Sequence, residues 1–350
     1  MKTTRIAFIL LFMGTMTPTQ GLSTSPERAT ESVLLFAGQS REEFREYLKD
    51  VSHDGRATPR PVGATLYTSL LLTGLESAHE NIPGDHAQDL PFLLEQPEPL
   101  MLQIGLWLGA DQLKGIINGD FDPNIYRLGK RLGQTKRPVF LRIGYEFDGP
   151  HNQYLPDLYQ MAYRRIGREM RKHGNIILVW HSFALLDTFQ GHDVMQWYPG
   201  DKWVDWLAVS FFQVTDDGYF RAPNRQRLVD IAREKGKPLM IAEASPIRYT
   251  ARQKQLSGDE WWDDWFNPLF KFIEETPEVR ALCIINVNWN SQKQHRVLNW
   301  EDARLNQDPV ILQRWQEKMK KAYWVRPSKT VYTRPWKRSK GHEEEKRTQQ

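Results

Sequence analysis

Eight short apolar runs recur along the chain from residue 33 onward, and segments with helical spacing separate most of them. The runs are apolar almost throughout and do not alternate apolar with polar residues. A strand needs this composition when both faces of its sheet are covered, as in a parallel sheet packed against helices. The runs are VLLFA (33–37), VGATLYTSL (62–70), PLMLQIGLWL (99–108), PVFLRIGYE (138–146), NIILVWHS (175–182), VDWLAVSFF (204–212), PLMIAEA (238–244) and ALCIINVNW (281–289).

The order of these runs predicts the fold class. Eight buried strands, each leading to a helix or helix-like return, are typical of a single α/β domain, the (β/α)8 TIM barrel. A doubly wound open sheet is the alternative. It is disfavoured because no glycine-rich phosphate loop follows a run and no natural break marks a second domain.

The first residues have the pattern of an export signal. Lys2 and Arg5 precede the apolar run IAFILLFM (6–13), and small and polar residues follow it. This pattern predicts a signal peptide over residues 1–21 and a secreted or periplasmic protein. No later run approaches the length that crosses a bilayer, so we expect no stable membrane insertion after cleavage.

The charge of the chain is concentrated at its ends. Of the formal net charge of +4, residues 326–350 contribute +5 and residues 1–21 contribute +2, which leaves −3 for residues 22–325. The body therefore offers no broad basic surface, and the sequence predicts no nucleic-acid partner. The polar, charged segment 326–350 predicts a basic, disordered tail after a catalytic domain over residues 22–325.

Several common kinds of site have no signal in the sequence. Cys283 is the single cysteine and lies in an apolar run, which favours a buried, inert thiol. The nine histidines show no HExxH spacing, and no GxSxG is present. The sequence therefore predicts no metal and no cofactor.

Two glutamates lie near the ends of apolar runs. Glu146 ends the fourth run and Glu243 comes near the end of the seventh. Reactive groups in such a barrel lie at the carboxyl ends of the strands, and strands four and seven face each other across the mouth. Two such carboxyls suit glycoside hydrolysis, with Glu146 protonated and Glu243 ionised. Because strand side chains alternate, Arg142 should point to the same side as Glu146 and favour the ionised form of Glu243.

Aromatic residues also fall near strand ends. Flat aromatic rings can stack on sugar rings, so Trp107, Trp180 and Trp289, near the ends of runs three, five and eight, are candidate substrate contacts. Core packing is the alternative for each. His181 follows Trp180 and is a candidate for hydrogen bonding to substrate, with a structural role as the ordinary alternative.

Four blocks of the sequence resemble glycoside hydrolase family 26, which is best known for β-mannanases. They are LRIGYEFDG (141–149), WYPGDKWVDWLAVSFF (197–212), KPLMIAEASP (237–246) and INVNWN (285–290), and the resemblance spans about residues 33–320. It implies a retaining mechanism with Glu146 as acid/base and Glu243 as nucleophile. Arg142 matches the family's arginine upstream of the acid/base, and Trp289 matches an aromatic residue beneath the reactive sugar.

Two positions depart from the family pattern within the expected substrate site. Tyr145 stands where the family has a histidine, and Phe212 stands where it has a tyrosine beside the nucleophile. A missing tyrosine removes a hydrogen bond from the nucleophile unless another group replaces it.

The sequence predicts an exported, endo-acting, β-mannanase-like retaining β-glycoside hydrolase that cleaves a neutral polysaccharide. Mannan specificity does not follow from the resemblance, because of the two departures. The alternative is a non-catalytic carbohydrate-binding barrel bound to an extracellular polysaccharide. Trimming of an exopolysaccharide in the periplasm uses the same site and stays open.

Overall fold

The protein is an eight-stranded parallel barrel. The computed structural model describes residues 30, 32–51, 60–79, 87–184, 193–212, 222–247 and 257–336. Each strand pairs with its neighbours in chain order, and β1 pairs with β8 to close the barrel, so the predicted (β/α)8 fold is confirmed. The strands are β1 Leu34–Ala37, β2 Gly63–Thr68, β3 Met101–Leu106, β4 Val139–Ile143, β5 Ile176–Ser182, β6 Trp206–Phe211, β7 Leu239–Ala244 and β8 Val279–Ile284.

Helices follow most of the strands. They are α1 Arg41–Asp50, α2 Leu90–Leu94, α3 Gln112–Asn118, α4 Asp122–Gln134, α5 Pro156–Met170, α6 Ala222–Glu234, α7 Gly258–Trp261, α8 Asn267–Glu275, α9 Lys293–Val297, α10 Pro309–Met319 and α11 Lys329–Thr333. A π-helical stretch, Trp262–Phe266, joins α7 to α8. None of the described helices is both long and apolar enough to cross a membrane.

Strands β4 and β8 end three or more residues before their apolar runs do. The fourth strand stops at Ile143, and both Gly144 (φ 53°) and Glu146 (φ 52°) adopt left-handed backbone conformations. The eighth strand stops at Ile284, so Trp289 lies in a short 3₁₀ turn beyond it. Strand alternation therefore does not place Glu146, and the turn after β4 does.

The lower half of the barrel interior is filled by aromatic side chains. The Phe140 ring makes edge contacts with Phe36 at 5.6 Å and with Trp206 at 5.1 Å. All three side chains are buried. These rings make the lower barrel a solid core, which leaves the upper half and the mouth for polar groups.

The chain beyond residue 325 covers the lower end of the barrel, which corrects the prediction of a disordered tail for residues 326–336. Helix α11 lies in this segment, and Trp336 packs 6.3 Å from Phe140 and 6.4 Å from Trp206. The Trp206 Nε1–H group donates to the Trp336 carbonyl at 3.1 Å. The segment is ordered because its apolar side chains complete the barrel core. The predicted signal peptide and residues 337–350 lie outside the described residues.

Trp336→Ala should destabilise the barrel because it removes an aromatic contact from the interior core. We expect the free energy of unfolding to fall by about 1–3 kcal/mol, less than the ~3–5 kcal/mol typical of a fully buried tryptophan, since Trp336 is only partly buried. Urea unfolding followed by circular dichroism measures the change. Tyr126→Ala, which truncates a 55% exposed ring on α4, is the control and should change it by less than about 0.5 kcal/mol. Equal effects of the two variants would contradict the closing role of Trp336.

Candidate active site

Glu243 and Arg142 form a buried ion pair at the mouth of the barrel. Glu243 lies on β7 and Arg142 on β4, and Arg142 Nη1 is 2.5 Å from Glu243 Oε1. Arg142 has no exposed surface, and Glu243 is 7% exposed. An arginine keeps its charge at any relevant pH, so this pair gives Glu243 a fixed positive partner.

Tyr67 completes the environment of Glu243, although the sequence pattern did not identify it. The residue lies on β2, and its hydroxyl donates to Glu243 Oε1 at 2.6 Å. Its ring also lies 5.0 Å from the Arg142 guanidinium carbon. Its position one residue before the end of β2, in an apolar run, was the available signal.

Gly105 on β3 makes room for this arrangement. A Cβ atom at that position would come within 2.6 Å of the Tyr67 ring and 3.0 Å of Arg142 Nη2. Any side chain there would displace one of the two groups that hold Glu243.

The pKa of the Glu243 carboxyl reflects opposing influences. Burial raises its pKa above the ordinary value, and the negative charge of Glu146 acts in the same direction. Arg142 and the Tyr67 hydroxyl lower the pKa. Glu243 therefore depends on both of these partners to stay ionised in a buried position.

Glu146 is held by the turn that follows β4. The Asn152 side-chain amide donates to the carbonyls of Tyr145 (2.8 Å) and Glu146 (2.9 Å), which fixes the backbone of the turn. The Ser210 hydroxyl donates to Glu146 Oε1. His151 Nε2 lies 3.1 Å from Glu146 Oε2. One oxygen of the Glu146 carboxyl thus accepts a hydrogen bond from a strand of the barrel, and the other oxygen lies next to a half-exposed histidine.

A buried carboxyl next to Glu146 has a structural role. Asp148 accepts hydrogen bonds from the Ser182 hydroxyl and the Phe183 amide, both at 2.6 Å. Burial raises the pKa of Asp148 to about 6. These contacts join the loop after β4 to the end of β5 and set the position of the turn that carries Glu146.

The structure contradicts two of the expected substrate contacts. Trp180 is fully buried and stacks on Phe147 at a centroid distance of 4.5 Å, so it is a core residue. His181 is also fully buried, with its ring nitrogens facing Arg142 and Ser210. The side chains of Trp180 and His181 on β5 are therefore inaccessible to a sugar.

The remaining aromatic candidates lie at the mouth in different settings. Trp107 follows β3 and is 39% exposed, and Tyr145 is partly exposed beside Tyr67. Trp289 is 3% exposed, and its Nε1–H group donates to the Ser245 hydroxyl at 2.9 Å.

Trp300, which the sequence pattern did not identify, lies beside Trp289 at the mouth of the barrel. Its ring lies 4.9 Å from Trp289 and 5.7 Å from Phe212. Trp289 and Phe212 are buried, whereas Trp300 is partly exposed. Phe212 is therefore part of an apolar wall and does not approach Glu243 as a hydrogen-bond donor.

The chemistry available at this site is that of paired carboxyls. In the described part of the chain, no group of three or more His, Cys, Asp or Glu side chains is arranged to hold a metal ion. Two carboxyls in unequal environments at the mouth of a (β/α)8 barrel are the catalytic groups that glycoside hydrolases typically use.

Comparisons with known proteins agree with this class. No protein-family model matches the chain. A β-1,3-xylanase from an Alcaligenes species is 28% identical over 326 residues, which cover 87% of this chain and 67% of that protein. A β-1,3-xylanase from a Vibrio species is 28% identical over 324 residues, covering 86% and 68%.

A solved structure shares the fold. The GH26 β-mannanase from Bacteroides ovatus superposes with a TM-score of 0.56 at 13% identity, covering 89% of this chain and 94% of that one. The predicted enzyme class is confirmed: the chain is a glycoside hydrolase acting on O-glycosyl bonds. Its predicted resemblance to glycoside hydrolase family 26 is confirmed as well.

Tyr67→Phe should shift the pH dependence of catalysis. The hydroxyl of Tyr67 lowers the pKa of Glu243, so its loss raises that pKa and delays ionisation to higher pH. We expect the acidic limb of the kcat/KM profile to move to higher pH. Tyr145→Phe is the matched control, because its hydroxyl makes no hydrogen bond to either carboxylate in the described residues, and it should leave that limb in place. Coincident acidic limbs for Tyr67→Phe and the wild type would show that Tyr67 does not tune Glu243.

Proposed function

We propose that the protein is an exported, endo-acting β-glycoside hydrolase that cleaves a neutral polysaccharide with retention, using Glu146 as acid/base and Glu243 as nucleophile. The observation that carries this proposal is the contrast between the two carboxyls. Glu243 is fixed by a buried guanidinium and a phenol, whereas Glu146 has one oxygen directed towards the half-exposed His151. The first environment suits a nucleophile and the second suits a group that exchanges protons.

The proposed reaction has two steps. Glu243 attacks the anomeric carbon while Glu146 gives its proton to the leaving glycosidic oxygen, which forms a glycosyl ester on Glu243. Glu146 then removes a proton from water. The water oxygen bonds to the anomeric carbon as the ester bond to Glu243 breaks. Arg142 and Tyr67 stabilise Glu243 before attack and after release, when it is an anion.

β-1,3-Xylan is the first substrate to test, and β-1,4-mannan is the second. Two relatives that align with most of this chain are named β-1,3-xylanases, while the structural neighbour is named a β-mannanase and is only 13% identical. The departures at Tyr145 and Phe212 also argue against simple transfer of mannan specificity. Export rests on the pattern of residues 1–21 alone, and sequencing the amino terminus of secreted protein tests it.

A non-catalytic carbohydrate-binding barrel is the weaker alternative. The departures at Tyr145 and Phe212 motivate it, since a nucleophile without the hydrogen bond of the family's tyrosine would lose activity. Tyr67 supplies a hydroxyl to Glu243 from a different strand, which answers the departure at Phe212.

The substrate contacts that fit the geometry are Trp107, Tyr145 and Trp300, with Trp289 and Phe212 behind Trp300. Both neighbours of Trp300 have left-handed backbone, Asn299 at φ 55° and Glu301 at φ 68°. Such conformations persist only where surrounding contacts enforce them, and they are enriched at functional sites. We therefore assign Trp300 a stacking contact with a sugar ring.

Glu146→Ala and Glu243→Ala test the catalytic assignment. We expect losses in kcat on the order of 10²–10⁴-fold for the acid/base and on the order of 10⁴-fold or more for the nucleophile. Release of reducing ends from β-1,3-xylan, β-1,4-mannan, mixed-linkage glucan and β-1,3-glucan measures activity. Glu76→Ala, at a 53% exposed glutamate paired with Arg127, should match the wild type. Full activity in either of the first two variants would exclude its role.

Trp300→Ala and Trp107→Ala should weaken substrate binding. We expect KM for the polysaccharide to rise about 10-fold, equivalent to about 1.4 kcal/mol, with a smaller change in kcat. Steady-state kinetics on the accepted polysaccharide measures both constants, with Tyr126→Ala as the aromatic control on α4. An unchanged KM in Trp300→Ala would remove Trp300 from the substrate site.

A further inference from the structure

A chain of buried hydrogen bonds connects the surroundings of the two glutamates. Arg142 Nη1, which contacts Glu243, also lies 3.2 Å from His181 Nδ1. His181 Nε2 lies 3.1 Å from Ser210 Oγ, and Ser210 donates to Glu146 Oε1. Arg142 and His181 are fully buried and Ser210 is 1% exposed, so water does not compete for these contacts.

The donors and acceptors in this chain allow one consistent arrangement. A guanidinium has no acceptor, so His181 Nδ1 must accept from Arg142. Burial and the charge of Arg142 lower the pKa of His181 well below its ordinary value, which keeps the ring neutral. Its one ring proton is then on Nε2 and is donated to Ser210 Oγ. The hydrogen of the Ser210 hydroxyl is left for Glu146, and Glu146 Oε1 must accept it.

An irregularity in the pairing of β7 with β6 brings Ser210 beside Glu243. The register of β6 against β7 shifts after Val209, so that Ser210 pairs with Glu243 and Ala242 is skipped. Irregularities of this kind re-aim side chains next to active sites. Ser210 thus lies beside the strand of Glu243 while its hydroxyl reaches Glu146.

We propose that Ser210, oriented by His181, is a positioning residue that occupies Oε1 of Glu146, so that the proton used in catalysis is carried on Oε2. This inference rests on the proposed acid/base role of Glu146. During cleavage the Oε2–H bond breaks as the proton passes to the glycosidic oxygen, and the bond from that oxygen to the anomeric carbon breaks as the Glu243 ester forms. Ser210 keeps its own hydrogen and continues to donate to the new carboxylate.

The other charged and titratable groups around Glu146 do not contact Oε1 at hydrogen-bond distance within the described residues. These groups are His151, Asp148 and Tyr145 from the loop after β4, Glu243 from β7, and Arg142 beneath the site. His151 Nε2 lies 3.1 Å from Oε2, and the carboxyls of Asp148 and Glu243 act on Glu146 through their charge. Ser210 is therefore the residue whose removal should free Oε1.

The test compares leaving groups of different proton demand. Phenyl β-xylobioside requires proton donation to the departing oxygen, whereas 2,4-dinitrophenyl β-xylobioside departs without it; mannobiosides replace them if mannan is the accepted polysaccharide. Ser210→Ala should raise the dinitrophenyl-to-phenyl ratio of kcat/KM about 10-fold, and Ser210→Thr, which keeps a hydroxyl, should restore the ratio to within about 3-fold of wild type. The ratio does not depend on the fraction of folded enzyme.

Glu146→Ala separates failure of this inference from failure of the proposed function. A raised ratio in both Glu146→Ala and Ser210→Ala supports the positioning role. A raised ratio in Glu146→Ala with a wild-type ratio in Ser210→Ala overturns the inference and leaves the acid/base role intact. A wild-type ratio in Glu146→Ala overturns the acid/base role, and the inference with it.

Discussion

The mouth of this barrel depends on the buried ion pair between Arg142 and Glu243. Removing one partner of such a pair typically costs about 3–5 kcal/mol, because the other charge is left buried without compensation. The pair therefore fixes the relative positions of β4 and β7 and keeps an anion where burial alone would favour a neutral acid. Tyr67 and His181 are both arranged around the same guanidinium.

The departures from the family pattern become intelligible once this centre is defined. Phe212 cannot donate a hydrogen bond, and it packs instead with Trp300 in the apolar wall of the mouth. A hydroxyl for Glu243 comes from Tyr67 on β2, and the absence of a side chain at Gly105 leaves space for its ring. A hydrogen bond to this carboxylate is thus supplied from a different strand.

Much of the fold could be predicted because a strand that is buried on both faces appears in the sequence as a continuous apolar run. Seven of the eight apolar runs contain the observed strand and the eighth overlaps it, and the positions of Glu146 and Glu243 near run ends predicted that both face the mouth of the barrel. Hydrogen bonds between side chains on different strands have no comparable pattern in the sequence. Tyr67 and Ser210 are polar residues within apolar runs, and only the closed register shows which carboxyl each one contacts. The burial of Trp180 likewise follows from packing against Phe147.

The central claim is that Glu243, held by Arg142 and Tyr67, forms the bond to the sugar. A 2-deoxy-2-fluoro glycosyl fluoride of the accepted disaccharide slows hydrolysis of the glycosyl-enzyme, and mass spectrometry of the peptides then locates the label. The account predicts one equivalent of label, attached to Glu243 within the peptide that contains β7. A label on Glu146 or on any other residue would contradict it.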